Sequence, residues 1–263
     1  MVSGSLPDFR EIPGRKRRLR MARRFVFYAS VRSLAWLARR SPRRLAVGFM
    51  EGLGLLAYSC RRGDREVAMR QLALAFPDWD EETRRRAARE SFVCLGRNLL
   101  DSVRGEARVR IASTDEERLA RIQESGDPVL VLSLHLGSWE LLGRWLANRF
   151  PAMGVVTANP HNHWIDSWLA RERAALGLRT FDRRREVLAA ARWLRRGGSL
   201  AVLADHRSQV SSVSAPFFGR PAPTAVGPQR LARRSRARIL PVGMRFDGED
   251  HWVLVGDEVL WND

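Results

Sequence analysis

The chain has 263 residues, 45% of them hydrophobic, and a formal net charge of +17. That hydrophobic share supports a folded core and excludes charge-dominated disorder. Two cysteines, Cys60 and Cys94, in no metal-ligand spacing, exclude a disulfide framework and point to a reducing compartment.

The charge is uneven. Residues 1–45 hold 13 basic and 2 acidic side chains, a net of +11, and the other 218 residues carry the remaining +6. Such an N-terminus suits an anionic surface, either membrane or nucleic acid. Residues 1–24 read as a basic tail. Phe25–Leu37 follows as an apolar helix bracketed by arginines, the layout of an interfacial helix with its charged groups among lipid headgroups. Residues 1–40 are therefore expected to form a basic amphipathic, membrane-associating segment. Arg32 interrupts the stretch 25–38 and Glu51 the stretch 45–60, so neither is a good membrane span. A cleavable signal peptide also fits poorly, since no small-residue cleavage site follows.

Residues 41–263 are expected to form the main domain, with a helical part at 41–105 and an α/β core at 106–263. Ser41-Pro42 can start a helix. Glu66–Phe76 is helical up to Pro77, and Asp80-Glu81-Glu82 opens a helix reaching about Val103, with acid before base as the helix dipole prefers. The pattern changes after the turn Gly126-Asp127-Pro128. Val129–Leu134 is a continuous apolar run, as in a buried strand. Further strands are expected at 155–157, 199–204, 239–246 and 252–260. Helices are expected at 139–150, 165–176, 186–194 and 224–235. This alternation predicts an α/β fold with a mostly parallel central sheet flanked by helices.

The chemistry-bearing candidates sit where the first strand of that core ends. His135 is followed by Gly137, by Ser138 as a potential helix cap, and by Glu140 in the next helix's first turn. Ligands of open α/β sheets bind at the carboxyl ends of strands. A neutral His can take a proton from an attacking hydroxyl, and a carboxylate beside it can orient the ring and stabilise the imidazolium. The adjoining helix start offers N–H groups to a developing oxyanion. Taken alone, His-x4-Glu is weak evidence, because a His at a strand end commonly has a structural role.

The surroundings add specificity. His-Leu-Gly-Ser-Trp-Glu at 135–140 resembles the His-x-Gly-Asn-Trp-Glu block of the bacterial lipid A late acyltransferases and the related phosphatidylinositol mannoside acyltransferases. Gln71–Pro77, Leu203–His206, Pro216–Gly227 and Ile239–Val242 resemble further blocks of that family in the same order, over roughly residues 25–260. The resemblance implies a glycerolipid-acyltransferase-like fold at the membrane. It also implies direct acyl transfer from acyl carrier protein or coenzyme A to a hydroxyl of a glycolipid such as a lipid A precursor. His135 would be the general base and Glu140 its partner, with no covalent acyl-enzyme and no cofactor or metal. The protein would work at the cytoplasmic face of the inner membrane. Three departures stand out: Ser138 and Gln71 replace family asparagines, and the sequence ends at Asp263, where family members usually continue into a Trp- and Arg-rich segment.

Asp205 and His206 close the third strand of the core and are expected at the same rim as substrate contacts, with Arg207 as a phosphate contact. Phe217, Phe218 and Gly219 form an aromatic turn suited either to an acyl groove or to a plug into the core. Thr224 is expected to start the following helix. Together with Ser138 these are the candidate substrate-binding residues. Acylation of a lysophospholipid or other simple lipid is the alternative reaction. A non-catalytic lipid- or nucleic-acid-binding protein is the alternative class. Nucleic acid is disfavoured because the N-terminal aromatics lie inside apolar helical runs rather than among basic residues on a stacking surface.

Overall fold

A computed structural model of the protein describes residues 14–150, 152–158, 162–205 and 211–259. The chain begins with four helices, α1 (Gly14–Arg40), α2 (Arg43–Cys60), α3 (Arg62–Ala75) and α4 (Glu81–Arg104). Local causes shape the first and the fourth. The first extends well beyond the expected 25–37, because the Arg-rich flanks contain good helix formers and no breaker. Asp80 caps α4, accepting the Thr83 N–H at 2.7 Å, and Gly105 ends it in the left-handed conformation at φ +66°. Helices α2 and α4 pack closely because glycines face the contact. A Cβ on Gly54 would lie 2.3 Å from the Phe92 carbonyl oxygen, and one on Gly96 2.1 Å from that of Met50.

The rest of the chain alternates strands and helices: β1 (Val109–Ile111), α5 (Ser113–Glu124), β2 (Val129–Ser133), α6 (Trp139–Arg149), β3 (Met153–Thr157), α7 (His163–Ala175), β4 (Arg179–Asp182), α8 (Val187–Arg195), β5 (Ser199–Leu203), β6 (Ser212–Phe217), β7 (Arg220–Ala225), α9 (Gly227–Ser235), β8 (Arg238–Phe246) and β9 (His251–Val255). Seven strands form one sheet in the order β1-β9-β8-β2-β5-β3-β4, parallel throughout except between β8 and β9. Strands β6 and β7 form a separate antiparallel hairpin.

The mixed α/β fold with a mainly parallel sheet is thus as expected from the alternation. Both faces of the sheet are covered, which explains the unbroken apolar run in β2. Val129 and Val131 pack with Leu119, Leu142 and Leu146 of α5 and α6, while Leu130 packs on the other face with Leu194 of α8 and Ala232 of α9. Two elements correct the sequence reading. Thr224 lies in β7, and the helix starts only at Gly227. The terminal strand is 251–255 rather than 252–260. A buried cluster ties the helical layer to the sheet: Asp101 of α4 meets Arg43 of α2 at 2.8 Å and His251 of β9 at 2.8 Å. Among the described residues no helix is long and apolar enough to cross a membrane.

Candidate active site

Strand register brings the site together. Strands β2 and β5 are parallel neighbours with Ser133 opposite Leu203, and the Ala204 N–H extends the ladder to the Ser133 carbonyl at 3.0 Å. Two residues further on, His135 and Asp205 fall side by side at the carboxyl ends of the two strands. The His135 ring Nδ1 lies 2.8 Å from Asp205 Oδ1, and the His135 backbone N–H donates to Oδ2 at 2.9 Å. One carboxylate therefore fixes both the ring and the main chain of the same histidine. Partial burial pushes the Asp205 carboxyl up, but the ring and backbone hydrogen bonds from His135 together outweigh it, and the net shift is downward. Trp139 packs edge-on against the His135 ring at 5.2 Å.

The sequence pairs His135 with Glu140. The carboxylate that holds the ring is Asp205. Glu140, in the first turn of α6, is instead gripped by the guanidinium of Arg173 on α7 through both oxygens, with Nε to Oε2 at 3.2 Å. The fork-to-fork contact is the strong geometry for this pair. Neither Asp205 as the ring's partner nor Arg173 as that of Glu140 was identified from the sequence. The signal for the first was present: two apolar strands each followed, after one residue, by a His or an Asp.

The loop between β2 and α6 is held from both sides. Gly137 sits at φ +61°, and a Cβ there would lie 2.2 Å from the Met244 carbonyl oxygen of β8, so only glycine fits. Ser138 occupies the cap position of α6 but makes no cap bond, contrary to expectation. Its buried hydroxyl turns into α4, donating to the Asn98 carbonyl at 3.1 Å and meeting Ser102 Oγ at 3.0 Å. On either side of His135, Leu134 and Leu136 are exposed, which places apolar surface next to the ring.

The remaining candidates separate. Phe217, Phe218 and Gly219 form the tip of the β6–β7 hairpin, with Phe218 at φ +49° and Gly219 at φ +70°. The tip is neither a plug nor solitary. Phe218 packs edge-on against Phe76 at 5.3 Å, and Phe76 stacks on Trp79 at 4.1 Å, in the turn between α3 and α4. Phe217 and Phe218 themselves stay exposed. The Thr224 hydroxyl donates to the Ala222 carbonyl within its own strand. His206 and Arg207 lie outside the described residues.

Residues 12–255 match the model of the bacterial lipid A biosynthesis acyltransferase family. The chain belongs to that family. It is 28% identical over 236 residues to the lipid A biosynthesis lauroyltransferase of Escherichia coli K12, covering 84% of this chain and 74% of that one. It is 26% identical over 219 residues to the lipid A biosynthesis palmitoleoyltransferase of the same strain, covering 80% and 70%. It is also 24% identical over 226 residues to the phosphatidylinositol mannoside acyltransferase of Mycolicibacterium smegmatis, covering 82% and 73%. Membership in the lipid A acyltransferase family makes the protein an acyltransferase and accounts for the ordered sequence blocks around His135.

Proposed function

We propose that the protein transfers a fatty acyl chain from a thioester of acyl carrier protein or coenzyme A to a hydroxyl of a membrane glycolipid, with His135 as general base. The observation that carries this reading is the His135–Asp205 pair at the carboxyl ends of adjoining parallel strands in a member of an acyltransferase family. With Nδ1–H donated to Asp205, the lone pair of the neutral ring is on Nε2. As the acceptor oxygen attacks the thioester carbonyl, its proton passes to Nε2 and a tetrahedral oxyanion forms. The imidazolium is stabilised by Asp205. The first N–H groups of α6, which have no partner within the helix, are suited to the oxyanion. Collapse breaks the carbon–sulfur bond, the thiolate takes the proton from Nε2, and the ester and free thiol leave.

Asp205 is thus a positioning residue in place of Glu140. Glu140 and Arg173 set α6 against α7. The apolar surface of Leu134 and Leu136 suits the acyl chain.

The lipid acceptor implies work at a bilayer surface. Helix α1 packs against α4 and α7 through a narrow stripe and leaves Val26, Phe27, Trp36 and Leu37 exposed among its arginines. Apolar side chains flanked by cations fit an anionic leaflet, with peripheral attachment at the cytoplasmic face of the inner membrane.

The test is to incubate the purified full chain with radiolabelled acyl carrier protein thioester, or acyl-coenzyme A, and total membrane lipid. A labelled glycolipid is expected with wild type and not with His135→Ala of equal thermal stability. Wild-type turnover by His135→Ala removes the histidine from the chemistry. Label appearing only in a diacyl phospholipid, the product of lysophospholipid acylation, changes the acceptor.

A further inference from the structure

At the other end of the sheet from His135, a cavity of about 190 Å³ opens between the start of β4, the end of α8 and the loop into β5. Its lining includes Arg179, Arg192 and Arg196, with Trp193, Ala189 and Gly198. Arg179 opens β4, Ala152 precedes β3 and Gly198 precedes β5. The cavity is therefore at the amino ends of these parallel strands, separated from the catalytic rim by the strand length, about 17 Å for five residues.

The three arginines are solvent-exposed, whereas several partly buried arginines of this protein are paired. Arg97, Arg104, Arg149, Arg173 and Arg238 each meet a carboxylate. Among the described residues Arg179, Arg192 and Arg196 have none. Arg192 and Arg196 are four apart at the end of α8, a spacing at which like charges repel. A third cation arrives from a different element. Its position is fixed: the Arg179 guanidinium lies over the rings of Phe181 at 5.0 Å and Trp193 at 4.9 Å. The indole is fixed in turn, because Trp193 Nε1 donates to the carbonyls of Ala152 and Ser199 at 3.0 and 3.1 Å. Gly198 makes room for it, since a Cβ there would lie 2.5 Å from Nε1. The wall is built, concave and cationic. Pockets for drug-sized ligands run to about 300–1,000 Å³, so this one suits a compact anionic group.

We propose that this cavity binds a phosphate-class anion, either a free phosphoryl group or the phosphate of a lipid headgroup, at a site separate from acyl transfer. Planar forked donors from two elements match phosphate oxygens bidentately. The fixed aromatic wall presents the Arg179 donors without a large ordering cost.

The test compares the full-length wild type with the Arg192→Gln/Arg196→Gln variant, whose substituted side chains are exposed and have no carboxylate partner to lose. An Arg233→Gln/Arg234→Gln variant on α9 removes the same charge elsewhere. Binding of pyrophosphate is measured by calorimetry, and binding to vesicles of phosphatidic acid in phosphatidylcholine by sedimentation. The cavity variant is expected to bind about tenfold or more weakly, corresponding to loss of charge-assisted contacts, with acyl transfer unchanged. The α9 control should change about twofold at most, as for diffuse surface charge. A loss in the pyrophosphate arm identifies a soluble phosphoryl ligand, and a loss in the vesicle arm alone a lipid headgroup. Equal losses in both variants, or no loss in the cavity variant in either arm, overturn the site.

Discussion

Replacing Asp205 by Asn tests the geometry of the site with one atom changed. The carboxylate accepts two hydrogen bonds from one residue, the His135 backbone N–H at 2.9 Å and the ring Nδ1 at 2.8 Å. An amide has a single oxygen. The backbone N–H cannot accept, so that oxygen must face it, and the amide NH₂ then faces Nδ1. Nδ1 must become an acceptor, which moves the ring proton to Nε2, the atom assigned to take the acceptor's proton. The neutral ring is then in the wrong tautomer for a base. General-base assistance is worth about 10²–10⁴-fold, or about 2.7–5.4 kcal/mol of barrier. The same tautomer error costs about 10⁴-fold in a serine protease triad. Asp205→Asn is therefore expected to lose about 10²–10⁴-fold in single-turnover transfer, while the retained backbone bond limits the stability loss to about 1 kcal/mol. The acid side of the stability curve changes as well. The folded carboxyl titrates below its ordinary value of 3.8. Its contribution is thus full above that value and lost as pH falls through the folded one, and the amide abolishes this component. Transfer by Asp205→Asn within about threefold of wild type, far below the general-base range, would refute the reasoning.

The same geometry leads to four further expected outcomes. Glu140→Gln keeps a hydrogen bond to Arg173 but loses the charge, and is expected to reduce kcat less than Asp205→Asn; the reverse order in matched initial rates restores Glu140 as the ring's partner. Gly137→Ala should displace the His135 loop, since its Cβ would meet the Met244 carbonyl at 2.2 Å; activity is expected to fall by more than the melting temperature predicts, and wild-type kcat counts against the tight loop. Asp101→Asn breaks a pair whose carboxylate is fully buried while Arg43 reaches solvent, so a loss of about 3 kcal/mol is expected in urea unfolding, the lower end for a broken buried pair; a loss below about 1 kcal/mol, the range of surface pairs, contradicts the clamp. Val26→Glu with Phe27→Glu should shift the protein off anionic vesicles without unfolding it, because both side chains are exposed, whereas deleting residues 1–40 would also remove the buried Ala35 and Ala38 and so cannot separate anchoring from folding.

What could be read from the sequence depended on whether the information was local. The strands β2, β5 and β8 announce themselves because a sheet covered on both faces demands apolar runs, and Val129–Ser133 supplies one. The β6–β7 hairpin escapes the same test. Its strands, Ser212–Phe217 and Arg220–Ala225, are largely exposed and hold three prolines between them, so neither alternation nor hydrophobicity marks them. The site divides along the same line. His135 was legible because a strand end followed by Gly137 and a helix start is a contiguous pattern. Nearness in sequence points to Glu140 as its partner, whereas the ring is held by a residue 70 positions away. Only the register of β2 against β5, Ser133 opposite Leu203, sets Asp205 beside it. Register is a property of two strands packed together, so no single segment encodes it. Glu140, in turn, was free to be claimed by Arg173, since its place in the first turn of α6 directs it toward α7 rather than back along the loop. A carboxylate five residues from a strand-end histidine is thus a weaker indicator of its hydrogen-bond partner than a carboxylate at the matching level of the neighbouring parallel strand.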